Sequence, residues 1–286
     1  MAVRSPLEAG TLSRVGGVEP ATREDLVAAC CADLYGHDLV ARLLGPSYHP
    51  GGHELTRAIA RTACLRPGER VLDVASGPGT SALLLAREFG AHVRGVDLSA
   101  PLVRRANEAA EEQGLASQVV FEVANAVRLP VQDAAVDAVL CECALCIFPD
   151  KRSAVSEMAR VLTPGGRLLL SDVVLDRDDL PDELRTFAAR VACLADALPL
   201  DGYLRLLEEA GLRVCSVERR DEALVHMVQE IEARLSMLAS VGVTSGMDTS
   251  YVRSIARSAV DVIDRGLAGY VLLIAELAPA SGMGAA

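Results

Sequence analysis

Val71-Leu72-Asp73-Val74-Ala75-Ser76-Gly77-Pro78-Gly79-Thr80 is the stretch on which the fold turns. A short apolar run breaks into a glycine-rich turn, and Ser81 to Phe89 continues with helical spacing. Downstream the pattern repeats. Strands are predicted at His92–Asp97, Val119–Val123, Val136–Glu142 and Arg167–Ser171, the last after a Gly165-Gly166 turn. Helices are predicted at Pro101–Gln113 and Lys151–Leu162. Strand–helix alternation at this spacing specifies a parallel sheet covered by helices on both faces. Helices near 181–196 and 201–210, a strand near 212–219, two helices within 222–265 and a strand near 269–276 complete the chain.

Upstream, residues 1–20 read as a loose tail rich in Gly, Pro and Ser. A helix is expected from Arg23 to Leu44, where Leu26, Cys30, Leu34 and Val40 recur at helical spacing. The Gly- and Pro-dense stretch Gly45 to Gly52 breaks it, and a second helix covers Glu54 to Cys64. The expected organisation is a flexible tail (1–20), a helical cap (21–64) and one α/β domain (65–286) with a helical insertion at 222–265.

Composition narrows the function. The 286 residues carry 28 Lys+Arg against 39 Asp+Glu, a net charge of −11. That balance argues against a nucleic-acid partner, which selects basic surfaces. No stretch approaches the ~18 uncharged apolar residues of a membrane span, and Met1 to Gly17, with two arginines and no apolar h-region, does not read as a secretory signal. A cytoplasmic setting is expected. There the eight cysteines are read as buried, metal-binding or reactive thiols, not as a disulfide framework.

In an open α/β sheet, ligands sit beyond the carboxyl ends of the strands, where strand order reverses. Gly77-Pro78-Gly79 occupies that position after the first strand, and Asp97 ends the second. By itself this is either a ligand loop with a ribose-binding carboxylate or a tight turn with a capping Asp. Four motifs together decide. Asp73 inside the first strand with the glycine loop resembles motif I of the class I S-adenosylmethionine-dependent methyltransferases. Gly95-Val96-Asp97-Leu98-Ser99, Ala124-Asn125-Ala126 with Leu129-Pro130, and Arg160-Val161-Leu162-Thr163-Pro164-Gly165-Gly166 follow in that family's order. The resemblance implies a doubly wound, Rossmann-like seven-stranded sheet whose last strand is antiparallel, and S-adenosyl-L-methionine as cofactor. It implies that Gly77 and Gly79 pass under the methionine moiety and that Asp97 binds the ribose. Asn125 and Ala126 would meet the adenine, with Asn125 standing where the family usually has Asp. Asp73, Leu98 and Cys141 complete the implied cofactor set, and Tyr35-Gly36 resembles a segment that closes over the methionine end.

Three cysteines stand at the end of the fourth strand. Cys141 and Cys143 face one side of the sheet if the strand continues. Cys-x-Cys-x-x-Cys lacks the second clip that a structural zinc site needs, because Cys30-Cys31 has the wrong spacing. The segment Cys141-Glu142-Cys143-Ala144-Leu145-Cys146-Ile147-Phe148-Pro149-Asp150-Lys151 resembles the arsenite methyltransferases, in which a cysteine stands six residues before Pro-Asp-Lys. Cys193 ahead of Ala197-Leu198, and Ala29-Cys30-Cys31, match two further thiol positions. That resemblance implies Cys31, Cys143 and Cys193 as the thiols holding trivalent arsenic as substrate, Cys30 being the alternative to Cys31. Thiolates select such soft centres. A thiol reductant would be a partner. Glu142 stands where those enzymes carry Asn, and their C-terminal cysteines are absent. Cys64 and Cys215 read as buried packing residues.

His49 and His53 flank a Gly-rich loop over the expected site, as a pair of solvent-exposed residues or with either one serving as a base for an oxygen or nitrogen nucleophile. The leading expectation is therefore methyl transfer to thiol-bound arsenic. The alternative is a small-molecule C-, O- or N-methyltransferase of secondary or quinone metabolism using His49 or Glu142. A non-catalytic cofactor- or metal-binding protein is the third.

Overall fold

A computed structural model describes residues 32–175, 196–240 and 249–278. The expected tail, the helix near 181–196, and the residues Cys30, Cys31 and Cys193 lie outside them. The described elements are α1 (Asp38–Leu44), α2 (Gly52–Thr62), β1 (Arg70–Val74), α3 (Thr80–Phe89), β2 (His92–Asp97) and α4 (Ala100–Glu112). They continue with β3 (Val119–Val123), β4 (Val136–Glu142), a 3-10 turn at Leu145–Ile147, α5 (Lys151–Val161) and β5 (Leu162–Leu175). The chain closes with α6 (Leu200–Glu209), β6 (Leu212–Arg219), α7 (Asp221–Ser240), α8 (Thr249–Asp264) and β7 (Ala268–Leu277).

Seven strands form one sheet in the order β3-β2-β1-β4-β5-β7-β6, the α/β architecture that the motif order implied. β1 to β5 pair in parallel, and β7 runs antiparallel between β5 and β6. Helices cover both faces because the central strands are apolar on both. Val71, Leu140 and Leu169 pack with Ile59 of α2, Leu84 of α3, Ala106 of α4 and Val262 of α8. Leu72, Val139 and Leu168 pack with Met158 of α5 and Tyr203 of α6. Strand order reverses between β1 and β4, so the loops after them diverge and leave a crevice.

Local departures have local causes. The helix expected to run unbroken to Leu44 is interrupted: Gly36 and His37 form a bend, and the His37 side chain accepts from the Leu39 N–H to start α1. Strand β5 does not begin after a Gly165-Gly166 turn. It starts at Leu162 and carries the glycines as a bulge, with Leu162 opposite Val136 and Arg167 opposite Ala138. Strand β1 stops at Val74, because Ala75 adopts φ 61°. Among the described residues, no helix is long and apolar enough to cross a membrane.

Candidate active site

The crevice is a cleft with about 920 Å3 of empty space counted to its open mouth, at the carboxyl ends of β1, β2 and β4. Its wall includes Tyr35, Gly77, Asp97, Leu98, Asn125, Ala126, Glu142 and Cys143, all singled out from the sequence. Tyr48, Ala75 and Phe148 join them.

The two loop glycines do different work. Gly77 (φ 54°) lines the cleft, and a Cβ there would meet nothing nearer than Tyr48 Cδ2 at 3.8 Å. Gly79 (φ 81°) is not in the wall. It caps α3 and turns inward, where a Cβ would stand 2.6 Å from Phe121 Cζ and 2.9 Å from Ala106 Cβ. Asp97 holds the loop from the other side, its Oδ2 accepting from the Gly77 N–H (2.9 Å) and its Oδ1 from the Ser99 N–H (2.8 Å). Burial raises its carboxyl above the usual range, and these N–H donors pull it back. Asn125 Oδ1 accepts from the Val127 N–H at 3.1 Å, an Asx turn that presents Asn125 and Ala126 to the cleft.

Asp73 is buried (3% exposed) at the foot of this loop, and its Oδ2 has no partner. Burial, then the negative charges of Glu142 and Asp97, push its carboxyl well above the usual range, while the Ala82 N–H at the start of α3 works against them. A buried carboxyl group with one unpartnered oxygen, beside two more acids, suits a cationic ligand. The residues present therefore fit S-adenosylmethionine, which carries a sulfonium and an ammonium group.

The cysteines part company. Cys143 adopts φ 51°, so β4 ends at Glu142 and the condition for Cys141 and Cys143 sharing a face fails. Cys141 is fully buried in the core under α5 and α6, outside the cleft wall, and burial pushes its thiol well up. Cys143 packs against the opposite core and lines the cleft. Cys146 is fully buried, its N–H donating to Asp172 Oδ2 (2.8 Å). Cys64 and Cys215, expected inside, are exposed: Cys64 follows the C-terminus of α2 with φ 52°, and Cys215 sits at a bulge in β6. Among the described residues, no three His, Cys, Asp or Glu side chains are grouped to hold a metal.

The loop histidines also separate. His53 stays half-exposed at the start of α2, and burial, then Arg57, lower its pKa. His49 is 7% exposed and turned inward. Its Nε2 lies 3.3 Å from Glu142 Oε2, and Glu142 also accepts from Ser81 Oγ (2.5 Å) and Thr56 Oγ1 (3.1 Å). Thr56 and Ser81 were not found from sequence. The available signals were a lone hydroxyl on the apolar face of α2 (Leu55, Ile59, Ala60) and a serine in the first turn after the glycine loop.

Comparison with known proteins follows the same lines. A family described as "Methyltransferase domain" matches residues 65–230. An arsenite methyltransferase of Halobacterium salinarum is 34% identical over 164 residues, 56% of this chain and 41% of that protein. The 27-O-demethylrifamycin SV methyltransferase of Amycolatopsis mediterranei is 35% identical over 197 residues, 63% of this chain and 72% of that protein. Among solved structures, the [4+2]-cyclase SpnF superposes with TM-score 0.71 at 26% identity, covering 88% of this chain and 97% of its own. A Haemonchus contortus phosphoethanolamine N-methyltransferase bound to S-adenosylhomocysteine shares the fold, with TM-score 0.71 at 20% identity over 91% of this chain and 59% of its own.

Proposed function

The chain belongs to the methyltransferase-domain family and is an S-adenosylmethionine-dependent methyltransferase, and we propose that its acceptor is a small molecule bearing an O–H or N–H group, seated between Glu142 and Cys143. One observation carries this reading: Glu142, a residue of the cleft wall whose side chain is 4% exposed, is backed by a buried histidine. The cofactor supplies a methyl group activated on a sulfonium. In this proposal Gly77, Asp97, Leu98, Asn125 and Ala126 hold it, and Asp73 and Asp97 balance its positive charge. Glu142 orients the acceptor and receives its proton, a role that needs a base within hydrogen-bond reach. Tyr35, Tyr48 and Phe148 wall the remaining volume with apolar surface that excludes water. The rifamycin relative, named for an O-demethyl substrate, supports this class.

Cys143 favours a second reading, in which the acceptor is trivalent arsenic held by thiols. It is the described cysteine that lines the cleft, and the Halobacterium relative is an arsenite methyltransferase. Its partner thiols in that reading, Cys31 (or Cys30) and Cys193, lie outside the described residues. An arsenic lone pair attacks without a general base, so this reading leaves the Glu142–His49 pair without a task.

One experiment separates them. The chain is incubated with methyl-labelled cofactor and either arsenite with glutathione or a panel of phenols and amines, alongside E142Q and C143S. We expect label on an O–H or N–H acceptor, lost in E142Q while calorimetric cofactor affinity stays within a few-fold. Label on arsenic that disappears in C143S, and not in E142Q, establishes the second reading instead.

A further inference from the structure

The hydroxyls behind Glu142 admit a proton count with two solutions. His49 Nδ1 lies 3.2 Å from the Pro50 carbonyl oxygen, which only accepts, so Nδ1 carries hydrogen. Nε2 is then either bare or protonated. Bare, it must accept, and the donors in reach are Ser81 Oγ (3.3 Å) and Thr56 Oγ1 (3.4 Å). One hydroxyl turns to the ring and the other stays on Glu142. Protonated, Nε2–H donates to Glu142 Oε2 (3.3 Å), and both hydroxyls turn to the carboxylate. Thr56 also has the Gly52 carbonyl of its own helix at 3.3 Å, so neither state strands its proton. The two states differ by one proton and by a hydroxyl rotation, with every buried group satisfied in both.

We propose that Thr56 and Ser81 are positioning residues that join Glu142 and His49 into one proton acceptor with two sites. This rests on the reading of Glu142 as the group that receives the acceptor's proton. The acceptor's X–H bond gives up its proton and leaves the electron pair on X. Glu142 takes the proton and passes it to Nε2, whose lone pair forms the new N–H bond. His49 is outside the cleft wall and Glu142 is in it, so the histidine reaches the acceptor through the carboxylate. The other titratable groups whose charges interact with the pair are His53 on α2, Asp73 on β1, Tyr270 on β7 and, across the sheet, Cys141 on β4.

The test needs no methyl acceptor. The full chain, labelled with 15N-histidine and bound to S-adenosylhomocysteine, is titrated by NMR, with H49N assigning the ring. We expect a neutral Nδ1–H tautomer. E142Q should also move the neutral Nε2 resonance, because the hydroxyls shared between the carboxylate and the ring are redistributed. Removing both hydroxyls (T56V with S81A) should move the neutral Nε2 resonance downfield toward that of an unbonded nitrogen, and T56S with S81T should restore it. A neutral Nε2–H tautomer, or an Nε2 signal that does not move in E142Q or in the hydroxyl-free variant, overturns the proposal. If the double variant unfolds, the Nε2 signals of the single variants S81A, T56V and E142Q decide. A positive titration with no methylated phenol or amine would fail the acceptor reading and leave the proton pair standing.

Discussion

Asp73 shows what burial does to one side chain. Its carboxyl is raised by desolvation and by Glu142 and Asp97, so the folded chain holds a proton there that the unfolded chain releases. For a carboxyl shifted upward, the stability it contributes is complete below the unfolded pKa and is lost as pH rises through the folded one. A cation bound beside it reverses the preference, since it favours the ionised form. We therefore expect cofactor binding to release protons and to tighten as pH rises through the raised pKa. In D73N this pH dependence should flatten, with affinity about ten- to a hundredfold lower at high pH, as for losing a charged hydrogen-bond partner. Calorimetry in buffers of different ionisation enthalpy reads the proton release directly. Equal release by wild type and D73N would remove Asp73 from the cofactor's surroundings.

At the scale of elements, the turn from β1 into α3 separates binding from folding within three residues. Gly77 and Gly79 both have positive φ, which costs a residue with a Cβ roughly 1 kcal/mol. At Gly77 the added methyl has room and points to the cleft. At Gly79 it collides with Phe121 and Ala106. G77A should thus lower thermal stability by about 1 kcal/mol and weaken cofactor binding more than that. G79A should cost about 2–4 kcal/mol, the sum of strain and overpacking. Thermal melts with and without cofactor distinguish them: a G79A protein as stable as G77A would mean that the α3 N-terminus shifts to admit the methyl. The same element logic ends β4. Because Cys143 takes a left-handed conformation, Glu142 is left facing α2 and α3, and Cys143 swings to that side away from Cys141.

At the scale of the whole molecule, α1 stands out among the described helices as loosely attached. It has no buried residue, and its ion pair between Asp38 and Arg105 is exposed, a type worth little. What anchors it is Arg234 of α7, whose Nη1 donates to the carbonyls of Leu43 (3.2 Å) and Leu44 (2.8 Å) and whose Nη2 pairs with Glu230. Helix α7 thus holds the segment that leads to Tyr48 in the cleft wall and to His49 behind Glu142. R234A should raise amide exchange across residues 38–48 at least about tenfold, the loss of about 1.5 kcal/mol from charged hydrogen bonds, while the melting temperature set by the sheet barely moves. Unchanged exchange in that segment would show that α1 is held by other contacts.

The sequence by itself determined the sheet. Apolar runs of strand length alternating with helical patterns, the glycine loop after β1 and Asp97 after β2 are local signals, so β2, β3, β4 and β6 lie where they were read. The motifs also pointed to part of the cleft wall, from Gly77 and Asp97 to Asn125 and Cys143. Tertiary structure decided what depends on distant neighbours. His49 and Glu142 are 93 positions apart, and Thr56 and Ser81 belong to two other helices; only the docking of α2 onto α3 and β4 brings the four together. It also sorted the cysteines. Cys64, Cys141, Cys143 and Cys215 have the same side chain, and sequence patterning cannot weigh a left-handed φ or a bulge that turns one thiol to the cleft, one to the core and two to water. Burial is a property of the packed chain, and the charge, proton and thiol chemistry of this cleft follow from burial.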